Sequence, residues 1–307
     1  MILLWGAESD TPLSAVAAAL DRRGAPVFRL DQHRARETEI ELVLAHGALG
    51  GELRVGADAC ALADIAAAYV RPFETRVLLG EAAAADPVLA AHAARLDQTV
   101  NAFLDVSAAR QVNPAAAMAS NGSKPYQASL IARHGFSIPD TLVTTDPAAA
   151  LDFRARHGEI IYKSVSGVRS IVSRLSDRHA ERLEDIAWCP TQFQQYVPGV
   201  DHRVHVVGDR LFTCEIISEA DDYRYAHRQD QAMSVVEGRL PDDVAACCRR
   251  LAAALGLAFA GVDLRRTPDG DWCCFEVNPS PAFTYYQDLT GLPIAEAVAA
   301  LLVGDEV

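Results

Sequence analysis

The sequence predicts an α/β fold of the α+β kind, arranged in three lobes. A buried strand over 2–6, an amphipathic helix over 11–23 and a second strand over 26–30 follow one another, an order typical of a parallel sheet. Later strands come in neighbouring pairs around short turns, which is typical of antiparallel hairpins. With 307 residues, of which 50% are hydrophobic, the chain is long enough for two or three lobes.

The first lobe, residues 1–115, is predicted to be Rossmann-like. Its further elements are expected as strands near 40–45, 52–55 and 67–71 and as an alanine-rich helix over 86–105. No GxGxxG motif follows the first strand, so a dinucleotide site is not predicted here. Arg71 ends a strand of this lobe and faces either the cleft between lobes or solvent; the sequence leaves both open.

The second lobe, residues 116–197, begins with a helix whose N-cap is Ser123. Its other elements are predicted as strands over 141–145, 159–163, 170–174 and 191–197 and a helix over 147–157. In the third lobe, residues 198–307, a hairpin is predicted around Gly208-Asp209. A helix over 241–255 ends at Gly256, and its apolar face is predicted to consist of Val244, Cys247, Leu251 and Leu255.

Composition excludes several classes of function. The net charge of −13 argues against a partner that is a nucleic acid or an anionic membrane. No apolar run approaches the roughly 20 residues of a membrane span, and the start of the chain lacks the basic segment of a signal peptide. Seven cysteines without a CxxC pair are expected to be reduced, buried, intracellular thiols, so a cytoplasmic protein is predicted.

Lysine is nearly absent from this chain. Of the 28 basic residues only Lys124 and Lys163 are lysines, which indicates positions that need a compact ammonium rather than a planar guanidinium. Lys124 is expected at a helix N-terminus, where the helix dipole favours anions. Lys163 ends a strand and precedes a small loop, 164–167, whose backbone N–H groups suit phosphates. The alternative for each lysine is an ordinary exposed side chain.

The segment from 260 to 281 carries the strongest chemical pattern. Strands over 260–266 and 272–278, joined by a symmetric turn at Asp269-Gly270, place Asp263 opposite Glu276 with Asn278 on the same face. Oxygen ligands so arranged suit Mg²⁺, whereas the alternative is a solvated face with incidental acids. The other face of the hairpin is predicted to be apolar and to consist of Val262, Leu264, Cys273, Phe275 and Val277.

Taken in order, five motifs over about 115–290 resemble those of the ATP-grasp ligases. They are SKPYQ, IIYKSVSGVRS, FQQYVPG followed by the strand DHRVHVVG, AGVDL and FEVNPSP. Within that superfamily the chain is most similar to the RimK-like group, and there to the graspetide or microviridin-type ligases that cross-link ribosomal peptides. The resemblance implies the ATP-grasp fold, with a Rossmann-like preATP-grasp lobe and two lobes that clamp ATP.

The same resemblance implies roles for particular residues. ATP would be held by Lys124, Lys163, Ser166 and Gly167 at the phosphates, by Gln194, Gln195 and the backbone of Tyr196 and Val197 at the adenine, and by Asp201 at the ribose. Two Mg²⁺ ions would be held by Asp263, Glu276 and Asn278. Arg203 and Arg224 would face the transferring phosphoryl group.

The implied reaction is ligation of a carboxylate through an acyl phosphate, with a peptide or small-molecule carboxylate as substrate and a homodimer left open. The preferred product is a side-chain ester or amide in a ribosomal peptide. The alternatives are ligation of an amino acid or small amine, a kinase, and a non-catalytic nucleotide-binding protein. The sequence NPSPAF, at the end of the predicted strand over 272–278, departs from the motifs of both the RimK-like enzymes and the peptide cross-linking ligases. This departure bears on the identity of the substrate more than on the class of reaction. The role of His227 stays open.

Overall fold

The computed structural model describes residues 1–165, 172–218 and 233–305 of the chain. Four of the residues singled out above, Ser166, Gly167, Arg224 and His227, lie outside the described residues. The predicted strand over 170–174 is described only from residue 172 onward.

The N-terminal part contains a parallel sheet and a small antiparallel sheet. Its strands are β1 (Ile2–Gly6), β2 (Val27–Asp31), β3 (Thr38–Ala45), β4 (Ala48–Val55), β5 (Asp58–Ala61), β6 (Ala67–Arg71) and β7 (Arg110–Val112). Its helices are α1 (Thr11–Arg22), α2 (Thr75–Leu78), α3 (Glu81–Ala85) and α4 (Pro87–Val106). The parallel sheet has the strand order β2-β1-β6-β7, which confirms the parallel arrangement predicted from the first three elements.

The strands predicted near 40–45 and 52–55 do not join that parallel sheet. They form an antiparallel sheet of order β3-β4-β5. The physical reason is the two-residue turn of His46 and Gly47, where both φ angles are positive, 53° and 79°. Such a turn joins antiparallel strands only, because parallel strands need a long crossover connection.

The central part folds into a second antiparallel sheet. Its elements are α5 (Ala115–Met118), α6 (Lys124–Arg133), β8 (Thr141–Thr144), α7 (Pro147–His157), β9 (Ile160–Ser164), β10 (Ser173–Arg174), α8 (Asp177–Ala180) and β11 (Thr191–Gln195). The strand order is β10-β9-β11-β8. Phe153 of α7 packs with Ile160 and Phe193, so one face of this sheet is a small core and the other face is left for the cleft described below.

The C-terminal part contains a five-stranded antiparallel sheet of order β14-β13-β12-β15-β16. Its elements are β12 (Val200–Val207), β13 (Arg210–Ser218), β14 (Met233–Glu237), α9 (Asp242–Ala254), β15 (Phe259–Arg266), β16 (Trp272–Asn278), α10 (Thr284–Thr290) and α11 (Ile294–Val303). The hairpin predicted around Gly208-Asp209 is confirmed, since Val207 pairs with Arg210.

The apolar face of α9 differs from the prediction at one residue. Val244, Cys248 and Leu251 are buried against the sheet, whereas Cys247 is only half-buried. Cys247 does pack against this core, but the prediction omitted Cys248, which lies at the centre of the buried stripe while Cys247 lies at its edge.

Two cores connect these parts. One joins α1 and β1 of the N-terminal part to α11, Phe259 and Phe283 of the C-terminal part. The other lies between α6, α9 and the inner face of β15 and β16. None of the described helices combines the length and the apolar character needed to cross a bilayer.

Candidate active site

A cleft that is open to solvent separates the central sheet from the C-terminal sheet. The central part contributes the lining residues Ile161, Lys163, Val172, Gln194, Gln195, Tyr196 and Val197. The C-terminal part contributes Asp201, His202, Asp263, Leu264, Arg265, Phe275 and Glu276. Since the two walls come from different sheets joined by the segment 196–199, a molecule in this cleft contacts both.

Lys163 is placed in the cleft by the alternation of β9. Ile160 points into the core with Phe193, and Ile161 and Lys163 point into the cleft. The lysine is 8% exposed, and Gln192 of β11 lies directly opposite it in the sheet. A largely buried ammonium of this kind suits an anionic ligand, because burial removes part of the hydration of its positive charge.

The end of β11 presents polar groups at the back of the cleft. The Gln194 amide donates from Nε2 to Thr141 Oγ1 at 2.9 Å, while its buried Oε1 has no hydrogen-bond partner among the described residues. The backbone N–H of Tyr196 donates to the Glu159 carbonyl at 3.1 Å. A buried acceptor without a partner costs free energy, so Gln194 suits a ligand that donates a hydrogen bond, such as an amino group of a base.

The segment between the sheets turns at Pro198-Gly199. Gly199 has φ +147°, and a Cβ atom there would lie 2.2 Å from the carbonyl oxygen of Arg266. Only glycine lets the chain pass so close to the end of β15. This close passage brings Val197 and Asp201 to the cleft.

Asp201 is bound by an arginine of the neighbouring strand. Arg265 donates from Nε to Asp201 Oδ1 and from Nη2 to Asp201 Oδ2, each at 2.8 Å. A third hydrogen bond of 2.8 Å runs from Arg265 Nη1 to the Val197 carbonyl oxygen. Burial acts to lower the pKa of Arg265 and the hydrogen bond with Asp201 to raise it, and the net direction is upward.

The acidic pair lies where the sequence predicted it. Asp263 of β15 pairs directly with Glu276 of β16, and both side chains line the cleft. Asn278 pairs with Gly261 on the same two strands, and its Oδ1 accepts a hydrogen bond of 3.0 Å from Ser280 N. Two carboxylates and an amide oxygen on adjacent strands are hard donors that fit Mg²⁺.

Arg203 approaches this acidic pair from β12. Its Nη1 lies 2.5 Å from Asp263 Oδ1, and Arg203 is opposite Asp263 in the sheet. Gly261 makes room for it, since a Cβ atom there would lie 2.8 Å from both Arg203 Cζ and Pro281 Cβ. Among the residues that the structure describes, no three His, Cys, Asp or Glu side chains form a metal-binding group. An ion here would therefore also need oxygens from Asn278, from substrate or from water.

The apolar face of this hairpin is partly different from the prediction. Val262, Leu264 and Val277 are in the core as predicted, but the fourth residue on that face is Cys274. A register shift between Asp263 and Leu264 inserts one extra residue in β16, and Phe275 turns to the cleft beside Glu276. The prediction that Phe275 and Cys273 share the core face was wrong, because alternation reverses across a β-bulge.

Lys124 is the first residue of α6 and follows Ser123, which occupies the N-cap position. It is not among the residues that line the cleft. The helix itself is fixed to β16 by Gln127, which donates to the Val277 carbonyl at 2.8 Å and accepts from Val277 N at 2.9 Å. The two predicted lysines therefore lie on different elements, and only Lys163 lines the cleft.

Arg71, whose surroundings the sequence left open, is buried. It donates from Nε to Asp10 Oδ2 at 2.6 Å and from Nη1 to Ser280 Oγ at 2.8 Å and to the Pro281 carbonyl at 3.2 Å. Asp10 is in turn the N-cap of α1. Arg71 therefore ties the parallel sheet to the loop that follows β16.

All seven cysteines are free, as predicted, although not all are buried. Cys189 is exposed and Cys247 is half-buried, which corrects the prediction of uniformly buried thiols. Burial raises the pKa of Cys214 to about 11 and the pKa values of Cys248 and Cys273 to about 12. These three thiols are therefore protonated near neutral pH and do not act as nucleophiles there.

The structure thus brings eight predicted residues to one cleft: Lys163, Gln194, Gln195, Tyr196, Val197, Asp201, Asp263 and Glu276. Arg203 reaches the same site through Asp263, and Asn278 lies beside it on β16. Sequence reasoning missed Arg265 and Phe275. Arg265 was accessible to prediction, because it follows Asp263 by two positions on one strand.

No family model matches the chain. Curated relatives of the chain carry the name probable alpha-L-glutamate ligase, and two of them serve as examples. The relative from Trichodesmium erythraeum is 25% identical over 62% of this chain and 66% of its own length. The relative from Stenotrophomonas maltophilia is 26% identical over 69% of this chain and 75% of its own length. The chain thus spans about two thirds to three quarters of these relatives.

Solved structures match over nearly the whole chain. Macrocyclase MdnC from Microcystis aeruginosa, bound with precursor peptide MdnA, has a TM-score of 0.80 at 22% identity and covers 99% of both chains. A RiPP-associated ATP-grasp ligase from Chryseobacterium gregarium, in complex with ADP and a leader and core peptide, has a TM-score of 0.83 at 21% identity, covering 98% and 96%. ATP-grasp ligase PsnB with Mg and ADP has a TM-score of 0.82 at 23% identity, covering 98% and 97%.

These matches define the class of the protein: it has the ATP-grasp fold, and its relatives in sequence and in structure are ligases. The predicted resemblance to ATP-grasp ligases is therefore confirmed. The narrower resemblance is confirmed as well, since the structural matches include macrocyclases and ligases with precursor peptides, and the sequence relatives are of the RimK-like kind.

Proposed function

We propose that this protein is an ATP- and Mg²⁺-dependent carboxylate ligase that works through an acyl phosphate. One observation supports the proposal most strongly: a single cleft has a buried lysine on one wall and two directly opposed carboxylates on the other. A lysine and a pair of acids facing each other suit a phosphate chain with its metal ions, and no simple apolar ligand would need them.

The lysine wall would hold the nucleotide. Lys163 would bind the phosphates as a point charge, and Gln194 Oε1 would accept from the amino group of adenine beside the backbone of Tyr196 and Val197. Asp201 would accept from the ribose hydroxyls. Lys124, Ser166, Gly167 and Gln195 belong to the same proposal on the strength of the family motif, with Lys124 and the loop 164–167 at the phosphates.

The acidic wall would hold the metal. Asp263, Glu276 and Asn278 would be ligands of Mg²⁺, with two ions proposed from the resemblance. When bound, Mg²⁺ neutralises the charge of the phosphate oxygens and orients them. PsnB, one of the structural matches, is complexed with Mg and ADP.

The arginines would act on the group that is transferred. In the proposed reaction a substrate carboxylate oxygen attacks the γ-phosphorus, ADP leaves, and an acyl phosphate forms. An amine or hydroxyl then attacks the acyl carbon, loses its proton, and expels phosphate. Arg203, which lies beside Asp263 at the end of the cleft, would bind the transferring phosphoryl group, and Arg224 has the same role in the family motif.

The narrower proposal is a side-chain ester or amide in a ribosomally made peptide. MdnC and the Chryseobacterium ligase are in complex with precursor or leader and core peptides, which supports a peptide as the partner. A second candidate, addition of glutamate or another small amine, is favoured by the name of the sequence relatives. A cytoplasmic location, in line with seven free thiols, is part of the same proposal.

The reaction class is tested by measuring phosphate release from ATP under four conditions: without substrate, with a carboxylate, with a nucleophile, and with both. We expect release of phosphate from ATP only when a carboxylate and a nucleophile are both present, as in a peptide that contains Asp or Glu together with Thr, Ser or Lys. Mass spectrometry should then show loss of one water per bond formed. Phosphoryl transfer from ATP to the substrate, with no ester or amide bond formed, would identify a kinase, and a mass gain of one glutamyl residue would identify the second candidate.

A further inference from the structure

We propose that Arg265 is a positioning residue that makes the cleft selective for a nucleotide with an intact ribose. It would act by fixing Asp201 and the Val197 carbonyl in one arrangement. This inference rests on the proposed function, because it assumes that the cleft binds ATP. Nothing in the motifs that suggested the nucleotide site assigns a role to Arg265.

The contacts of Arg265 join the two groups that a nucleoside would meet. Its guanidinium forms a two-pronged ion pair with the Asp201 carboxylate and a separate hydrogen bond to the Val197 carbonyl oxygen, all at 2.8 Å. Asp201 begins the C-terminal sheet, and Val197 belongs to the segment that leaves the central sheet. One side chain therefore connects the predicted ribose contact to the predicted adenine contact.

The surroundings of Arg265 leave it little freedom. Its side chain is 12% exposed and that of Asp201 is 15% exposed. The guanidinium carbon lies 5.1 Å from the centre of the Phe275 ring and 5.9 Å from the centre of the Tyr196 ring. These are cation–π contacts, and the forked ion pair with Asp201 is a feature that arginine provides and lysine does not.

The geometry of the pair leaves room for a ligand. Each carboxylate oxygen of Asp201 accepts one hydrogen bond from Arg265, and each has a second lone pair. Both remaining lone pairs are then held in fixed directions, as two neighbouring ribose hydroxyls require. Without Arg265 the carboxylate would be free to rotate toward water, and the difference between ribose and deoxyribose would be lost.

Equilibrium binding of ADP and of 2′-deoxyADP, both with Mg²⁺, tests this inference without any ligase activity. We expect the wild-type protein to prefer ADP by about 10-fold or more, as for the loss of one charge-assisted hydrogen bond. Arg265→Lys and Arg265→Met should reduce this preference to within about 3-fold. Because the lysine variant keeps the positive charge, it allows the same measurement if the methionine variant does not fold.

A matched control and a coupled pair make the test sharper. Arg266→Met removes the adjacent, exposed arginine and should leave the preference unchanged. Asp201→Asn alone should lower the preference as Arg265→Met does, and the double variant should lower it no further, because the two side chains act as one unit.

Two results would contradict the role of Arg265 alone, and a third result would contradict the proposed nucleotide site. A wild-type protein that binds both nucleotides equally, or an Arg265 variant that keeps the preference with only a lower melting temperature, contradicts the role of Arg265 alone. A wild-type protein that binds neither nucleotide contradicts the nucleotide site itself.

Discussion

Substitution of Lys163 tests whether this position requires the compact ammonium of lysine rather than any positive charge. The residue is 8% exposed, and it is one of only two lysines among the 28 lysine and arginine residues of the chain. We expect Lys163→Arg to lower turnover about 100-fold or more although the charge is kept, because a planar fork on a longer stem does not fit a point-charge site. Turnover at saturating ATP, normalised to folded protein, measures this. Near-wild-type turnover would show that any cation serves at this position.

Glu276 distinguishes a functional acid pair from a structural one. We expect Glu276→Gln to abolish turnover and to leave the metal-free protein as stable as the wild type or more stable, since the change removes repulsion with Asp263 directly opposite. Thermal melts and turnover, each with and without Mg²⁺, are the measurements. Glu237→Gln, at an exposed position of the same sheet, is the control and should change neither. A loss of stability with activity in proportion to folded protein would indicate a structural pair.

The residues of the cleft differ in how far the sequence could predict them. Asp263, Glu276 and Lys163 could be found because each combines an unusual side chain with a strand position. Arg265 could also have been found by alternation. Phe275 could not have been found in this way, because its side chain points to the cleft only as a result of a β-bulge, and no local sequence pattern indicates that bulge.

At the scale of elements, the hairpin of β15 and β16 shows two deviations that cancel. The loop is not a symmetric turn centred between Asp269 and Gly270, because Arg266 pairs with Trp272 and five residues, 267–271, connect them. The bulge near Phe275 then shifts the register by one residue. The predicted pairing of Asp263 with Glu276 is therefore correct, although the reasoning through the turn missed both features.

Another feature at this scale is the attachment of α6 to β16. Gln127 is 2% exposed and satisfies both backbone groups of Val277. We expect Gln127→Leu to lower the free energy of unfolding by about 2–4 kcal/mol, because a buried N–H and a buried carbonyl lose their partners. It should also lower turnover per folded molecule, since Val277 is next to Glu276.

Urea denaturation with a parallel turnover assay measures both effects of Gln127→Leu. Gln111→Leu is the matched control, because the Gln111 side chain donates to one backbone carbonyl, that of Leu104, and β7 belongs to a different sheet from the acidic pair. It should cost about 1 kcal/mol and leave turnover unchanged. Equal effects of the two substitutions on turnover would contradict a positioning role for Gln127.

At the scale of the whole molecule, the first and last parts of the chain share a core. Ile2 and Tyr69 of the parallel sheet pack in the same cluster as Phe259 and Val298. Asn113 adds hydrogen bonds to the carbonyls of Phe259 and Pro279, both at 2.6 Å. The sequence predicted the parallel arrangement of the first strands and two hairpins of the C-terminal sheet. Contacts between residues more than a hundred positions apart leave no local pattern from which to predict them.

Because the cleft lies between two sheets, a nucleotide bound there should stabilise the folded chain as a whole. Lys163 and Gln194 come from one wall and Asp201, Asp263 and Glu276 from the other. A ligand that binds only the folded state at about 100 times its Kd adds about 2.7 kcal/mol. For a chain of this length we expect a rise in Tm of about 4 °C.

This rise should require Mg²⁺, because Mg²⁺ would link the phosphates to the carboxylates of Asp263 and Glu276, two like-charged groups that otherwise disfavour a bound polyphosphate even with Arg203 beside Asp263. A scan with ATP alone, with Mg²⁺ alone and with both separates these contributions. Glu276→Gln provides the internal comparison: part of the Mg²⁺ requirement should disappear, since one of the two repelling charges is gone. A wild-type Tm that is indifferent to ATP with Mg²⁺ would mean that the cleft between the two sheets is not a nucleotide site. Equal protection by ATP with and without Mg²⁺ would mean that the acidic pair does not hold the metal.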